Sequence, residues 1–179
     1  MSRIGRLPVK IPAGTTVTVD NGTVTVKGPL GELKQEFISP ISVSVSGEEV
    51  HVTRGEETKE AKSLHGLYRA LIQNMVNGVT KGYEKGLVVN GVGYKVAMSG
   101  KKLVLNLGFS HPIEMESPEG ITITCPSATE ITVKGIDRAA VGQCAANIKS
   151  LKKPEPYHGY GIRYSDEVIE RKEGKTAGK

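Results

Sequence analysis

The chain has no tryptophan and only two phenylalanines, and aromatic residues make up 4% of its 179 positions. With glycine abundant and Val, Thr and Ile in short runs, the first expectation is short β-strands with many turns. Cysteine is scarce too. Cys125 and Cys144 stand far apart with no CxxC spacing, which excludes a disulfide framework and a zinc pattern and leaves both as reduced, buried apolar side chains. No window approaches the roughly 20 apolar residues of a membrane span, and the start, Met1-Ser2-Arg3-Ile4-Gly5-Arg6, lacks the apolar core of a signal peptide. The expectation is a cytoplasmic protein with no membrane partner.

The signatures of catalysis are missing as well. His51, His65, His111 and His158 show neither HExxH nor another metal spacing, and there is no GxSxG nucleophile elbow. Gly174-Lys175-Thr176 shares the end of a phosphate-binding P-loop, but the leading glycine of that motif would fall on Ile169. Asn90-Gly91-Val92-Gly93 lacks the third glycine and the following helix of a dinucleotide fingerprint, and glycines easing entry to a strand account for it. Asn21-Gly22-Thr23 is formally a glycosylation sequon but reads as a hairpin turn. No catalytic residue, metal ligand, cofactor or small-molecule substrate is expected.

What the chain does contain is glycine, 22 of them, with short runs of Val, Thr and Ile and a formal net charge of +5 from 24 basic and 19 acidic residues. A hydrophobic share of 37% fits a folded globular protein, and the length suits one medium domain or two small ones of roughly 80 to 90 residues. An internal repeat favours two. Thr16-Val17-Thr18-Val19 and Thr23-Val24-Thr25-Val26 alternate around Asp20-Asn21-Gly22, and Tyr94-Lys95-Val96-Ala97-Met98 and Leu103-Val104-Leu105-Asn106-Leu107 alternate around Ser99-Gly100-Lys101-Lys102. Val50-His51-Val52 and Ile131-Thr132-Val133 then each lead towards a helix, and Gly66 to Met75 matches Gly142 to Leu151 position for position.

Leu64, Leu67, Tyr68, Leu71 and Met75 predict the buried stripe of the first helix, and Val141, Cys144, Ala145, Ile148 and Leu151 that of the second. Glu56, Glu57 and Glu60 sit near the start of the first helix, and Gly78 is expected just past its end; Asp137 and Pro154 bracket the second. The predicted fold is α+β: two similar domains from an internal duplication, 1–82 and 83–179, each a small, mostly antiparallel sheet covered by one main helix.

One segment does not read as scaffold. From Asn147 to Tyr164 it places Lys149, Lys152 and Lys153 at a helix end, then Tyr157, Tyr160 and Tyr164 among glycines, with Arg163 beyond and Glu155 as its only acid. Ammonium and guanidinium groups meet phosphates, rings stack on unpaired bases, and glycine lets backbone amides come close. The alternative is that the lysines complement the helix dipole and the tyrosines fill a small core. Arg3, Arg6 and Lys10 form a second basic cluster, either an RNA-reaching arm or a solvated terminus. The end of the chain, from Asp166 to Lys179, mixes charges of both signs and is expected to be a flexible tail that orders on a polyanion, with Arg171, Lys172 and Lys175 as its candidate contacts.

Several motifs carry a resemblance to a known family. Met1 to Pro12, Val26-Lys27-Gly28-Pro29-Leu30-Gly31, Gly91-Val92-Gly93-Tyr94 and Pro154-Glu155-Pro156-Tyr157-His158-Gly159-Tyr160-Gly161-Ile162-Arg163-Tyr164 are similar, in order and spacing, to the bacterial large-subunit ribosomal protein L6 family. The resemblance runs through essentially the whole chain. It implies two duplicated α+β domains, no catalysis, and binding of large-subunit ribosomal RNA mainly through the C-terminal domain. It also implies a place near the sarcin-ricin loop and the base of the factor-recruiting stalk, with neighbouring ribosomal proteins there.

Carried over by position, the resemblance implies RNA contact at Lys152, Lys153, Tyr157, Gly159, Gly161 and Arg163, with Lys149 on the approaching helix. His158 and Tyr160 depart from it, because the family commonly carries lysine at both places, and the loop exchanges some phosphate attraction for stacking and shape. The first half, with ten basic and eight acidic residues against fourteen and eleven in the second, lacks such a loop and is expected to be structural or protein-facing. Three classes are thus set against one another: a ribosomal RNA-binding structural protein, a protein-interaction module and an enzyme.

Overall fold

The computed structural model describes residues 4–175, so Arg3 of the N-terminal cluster and residues 176–179 of the tail lie outside the described residues. The chain forms two compact units: one runs to Tyr83 and takes in Ile136–Arg138, and the other covers Glu84–Gly135 and continues from Ala139.

The first unit contains β1 (Val9–Lys10), β2 (Thr16–Asp20), β3 (Thr23–Gly28), β4 (Gly31–Glu36), β5 (Ile41–Ser46), β6 (Glu49–Arg54) and α1 (Lys59–Lys81). The strands make two three-stranded antiparallel sheets, ordered β1-β6-β5 and β2-β3-β4, and α1 lies against strands of both. The β2–β3 hairpin follows from its turn: Asn21 and Gly22 both have positive φ, 45° and 81°, which joins the strands in the register Asp20↔Thr23. That register sends Val17, Val24 and Val26 inward and the threonines outward, and a one-residue slip would reverse every one of them.

Helix α1 keeps Tyr68 and Met75 of the expected stripe in the core, with Leu64 and Leu71 packed beside them, and departs from it at Leu67. Ala61, His65, Tyr68, Ile72, Met75, Val76 and Val79 are buried, Leu64 and Leu71 flank them, and Leu67 is 49% exposed. A histidine can lie in this core because both ring nitrogens are satisfied. His65 Nε2 donates to the Val52 carbonyl at 2.9 Å, and Nδ1 accepts from Arg54 Nη1 at 3.0 Å. Thr58 caps the start, its hydroxyl accepting from the Ala61 amide at 3.2 Å. Gly78 does not end the helix but is buried inside it, and the left-handed terminal residue is Gly82, at φ 72°.

The second unit repeats this plan with β7 (Tyr83–Asn90), β8 (Lys95–Ser99), β9 (Lys102–Asn106), β10 (Ile113–Glu116), β11 (Ile121–Ser127), β12 (Glu130–Gly135), α2 (Arg138–Leu151) and β13 (Gly161–Tyr164). The order β11-β12-β7-β13 is β5-β6-β1 with one strand added, and β10-β9-β8 is β4-β3-β2. Val96, Leu103 and Leu105 are buried where the first unit buries Val17, Val24 and Val26. His65, Tyr68 and Ile72 likewise match the buried Val141, Cys144 and Ile148 of α2, the expected stripe of that helix, while Leu151 is half-buried.

Both cysteines are unpaired, and Cys144 is buried as expected, but Cys125 is only half-buried. It lies beside Pro126, where the β11 register shifts between Thr124 and Ser127 and the in–out alternation breaks. No helix among the described residues is long and apolar enough to cross a membrane.

The position of the buried face is testable by substitution. Ile72→Ala should cost about 2–5 kcal/mol in urea unfolding, and Leu67→Ala less than about 1 kcal/mol. Equal losses would show that the helix presents a different face.

Candidate nucleic-acid interface

The added strand β13 positions the site. It pairs with β7 from Gly161↔Asn90 to Tyr164↔Leu87, and on its other side the Ile162 amide donates to the Lys152 carbonyl at 2.8 Å. Inside the loop 152–160, the Glu155 amide donates to the Tyr160 carbonyl at 3.1 Å. The join depends on Gly161, whose φ is 145° and where a Cβ would fall 2.7 Å from the backbone of Lys153 and Pro154. No side chain fits there. Gly159 is buried as well, so both glycines set the shape of the loop rather than its exposed face.

The cations separate into two groups. Lys149 Nζ lies 2.6 and 2.7 Å from the two carboxylate oxygens of Glu167 and 4.6 Å from the centre of the Tyr164 ring. Glu167 also accepts from the Tyr164 amide at 3.0 Å, and its backbone carbonyl accepts from Arg163 Nη1 at 2.9 Å. On the same Tyr164 ring, at 4.8 Å, sits Lys85, which pairs with Asp166 at 3.0 Å. The Lys149 ammonium, then the Tyr164 amide, hold the Glu167 carboxyl below its ordinary range; Lys85 does the same first for Asp166. Lys149 and Arg163 are thereby engaged in holding the turn after β13.

Lys152, Lys153, Arg171, Lys172 and Lys175 form the other group, and none makes an ion pair among the described residues. Lys152 Nζ instead sits over two rings, 4.4 Å from the centre of Phe109 and 5.8 Å from that of Tyr94. A ring face orients an ammonium without neutralising it. The described tail meets the loop: the Lys172 amide donates to the Pro156 carbonyl at 2.7 Å, and Arg171 lies beside Gly159.

Tyr157 is 53% exposed. His158 and Tyr160, the two departures from lysine, stack on each other with centroids 5.2 Å apart and planes at 16°, and His158 Nδ1 lies 3.3 Å from Glu155. Phe109, Tyr94 and Lys85 join this group without being expected there from the sequence. Phe109 carries a signal, an aromatic next to Gly108 just past a hairpin, and Val92 beside Tyr94 is exposed as well. Of the N-terminal basic cluster, Lys10 is exposed on β1, and the Leu7 and Pro8 carbonyls are held by Arg69. Among the described residues no group of three or more His, Cys, Asp or Glu is placed to hold a metal ion.

Comparison with known proteins adds an independent finding. A family model described as "Ribosomal protein L6" matches residues 11–82 and residues 90–165. The "Large ribosomal subunit protein uL6" of Alkaliphilus metalliredigens is 56% identical over 177 residues, 98% of this chain and 99% of the relative. The protein of the same name from Clostridium kluyveri is 56% identical over 180 residues, the whole of both chains, and that from Moorella thermoacetica 54% over 179 residues, all of this chain and 98% of the relative.

The Lys149–Glu167 link has a defined pH signature. Because folding lowers the Glu167 pKa, the link contributes its full stability above the ordinary glutamate value of 4.5 and loses it as pH falls through the lowered folded value. Glu167→Gln should reduce the melting temperature at neutral pH and flatten its decline on acidification, as read by thermal unfolding across that range; an unchanged acid limb would rule the link out. Gly161→Ala should cost about 1–3 kcal/mol in the same assay.

Proposed function

Because the chain belongs to the ribosomal protein L6 family, we propose that it is a structural constituent of the large ribosomal subunit in the cytoplasm and that its second domain, 83–179, binds large-subunit ribosomal RNA. The family relation supports the first half of this reading. The second half rests on the cations of the loop and tail that have no carboxylate partner among the described residues, set beside the exposed rings of Tyr157 and Phe109.

In this reading Lys152, Lys153, Arg171, Lys172 and Lys175 meet phosphates. Tyr157 stacks on an unpaired base, and the stacked His158 and Tyr160 present a flat surface beside it. Lys149 and Arg163 act by positioning the loop. A-form RNA offers side chains little readable major-groove edge, so the domain recognises shape and holds neighbouring RNA helices in fixed relation. The site on the subunit is near the sarcin-ricin loop and the base of the factor-recruiting stalk, with neighbouring ribosomal proteins as partners. The first domain, 1–82, is structural or protein-facing, and the protein has no catalytic role.

Sedimentation of a cell lysate, with and without ribonuclease, tests the assembly. Stoichiometric migration with the large subunit, abolished by RNA digestion, is the expected result; migration as a small protein indifferent to ribonuclease would refute it. For the interface, the double variant Lys152→Ala with Lys153→Ala should lower the slope of log affinity against log salt by about 0.7 to 0.9 for each phosphate no longer engaged. Lys149→Ala should reduce stability with a smaller change in slope. If the two slopes fell equally, the division of the cations would be wrong.

A further inference from the structure

The loop 152–160 carries one acid, Glu155, and that acid faces the one side chain of the loop whose charge is not fixed near neutral pH. The Glu155 amide donates to the Tyr160 carbonyl at 3.1 Å, which closes the loop and brings the two residues together. Gly159, at φ 74°, turns the chain between His158 and Tyr160. Three side chains meet in the closed turn: the His158 ring stacks on that of Tyr160, and its Nδ1 lies 3.3 Å from the Glu155 carboxylate. The His158 side chain is 69% exposed, and its Nε2 makes no hydrogen bond among the described residues.

A neutral ring cannot serve two anions at once. Neutral imidazole carries a single N–H. With that proton on Nδ1 the ring donates to Glu155, and Nε2 turns a lone pair towards any phosphate oxygen that approaches. With the proton on Nε2 the ring can meet the phosphate, and Nδ1 turns its lone pair on the carboxylate. Only imidazolium donates from both nitrogens.

The groups around the ring favour that form once a phosphate is present. Glu155 repels a phosphate drawn to Lys152 and Lys153, and an imidazolium beside the carboxylate cancels that repulsion. The Tyr160 ring, with centroids 5.2 Å apart, attracts a cation lying over its face. The cations of the tail act the other way: Arg171 lies beside Gly159, and Lys172 is bonded through its amide to the Pro156 carbonyl. In the free protein they oppose a further positive charge, and a phosphate that they hold removes the opposition. Tyr157, the remaining titratable neighbour in the turn, is exposed beside them.

We propose that His158 is a proton-coupled phosphate contact: as RNA binds, the ring takes up a proton from solvent, donating from Nδ1 to Glu155 and from Nε2 to a phosphate oxygen. This rests on the RNA-binding reading of the loop and adds its regulation by pH. Because a phosphate stabilises imidazolium, the ring holds its proton to higher pH in the complex than in the free protein, and affinity rises as pH falls between those two limits. Below them the ring is charged in both states, and above them neutral in both, so affinity levels off on either side. Histidine's ordinary pKa of about 6.5 places the change in the physiological range.

The test measures binding of the full chain to deproteinised large-subunit ribosomal RNA of the same organism, by filter retention at fixed salt from about pH 6 to about pH 8. Two variants at this exposed position accompany the unchanged chain. The unchanged chain should bind about tenfold more tightly at the acid end, the effect of a pKa shift of about one unit on binding. His158→Gln, which cannot gain a charge, should bind weakly and His158→Lys, whose charge is fixed, tightly, both without pH dependence across the range. The slope of log affinity against log salt should be steeper at the acid end by about 0.7 to 0.9 in the unchanged chain alone. Affinity of the unchanged chain that is flat with pH, or a pH dependence that His158→Gln retains, would overturn the proposal and leave the RNA-binding reading standing. Absence of binding by both the unchanged chain and His158→Lys at every pH would overturn the two together.

Discussion

The loop and strand of the second domain proposed to bind RNA hang on one backbone approach, the passage of Gly161 against Lys153 and Pro154. Any side chain at that position would push the loop off the start of β13. With glycine there, the Ile162 amide reaches the Lys152 carbonyl while β13 keeps its register on β7. That register delivers Tyr164 between Lys85 and Lys149, and the turn beyond it returns Glu167 to Lys149. The tail then comes back to the Pro156 carbonyl through Lys172. A helix end, a loop, a strand and a tail are organised by one close approach that only glycine permits.

A consequence is that charge count and binding charge differ. A formal net charge of +5 is modest for a protein that meets a polyanion, and the basic residues of the loop region do not all serve that end. Lys149 is partly sheltered and bonded to both oxygens of one carboxylate, a geometry worth more than the roughly 0–1 kcal/mol typical of an exposed pair. That stabilisation belongs to the fold, and releasing the ammonium to a phosphate would forfeit it. Lys152 shows the contrasting arrangement: aromatic faces orient it while its charge stays whole, so a phosphate gains the interaction without first breaking an ion pair. The departures from lysine at His158 and Tyr160 fit the same logic, since a stacked pair contributes surface for shape recognition where further charge would crowd the loop.

Much of the fold is legible in the sequence because local chemistry dictates it. Asn21-Gly22 leaves the hairpin one turn type and hence one register, and the repeated order of hairpin, strand and helix exposes the duplication. The face of α1 is not legible in the same way, because His65 belongs to the core only by virtue of bonds to Val52 and Arg54, partners that hydrophobic periodicity does not contain. Gly78 reads as a helix end because a buried interior glycine and a terminal one have the same sequence signature. At the interface, composition points to the loop, but which lysine is neutralised depends on Glu167 far along the chain, and Phe109 arrives from another hairpin.

The two units show how little the architecture decides by itself. Each carries a glycine-led turn into a hairpin, a sheet edge beside it and a helix end close by. In one, a tyrosine fills the corner, the edges bond directly, and the helix ends early enough for Lys152 and the loop to occupy the surface. In the other, a threonine takes the tyrosine's place, α1 runs on to Lys81, and the buried Val76 stands where the second unit has Lys152. Rings and cations suit a phosphate backbone, and a buried valine does not. The same scaffold therefore presents two different chemistries through substitutions at one corner and a helix that stops about two turns earlier in one unit than in the other.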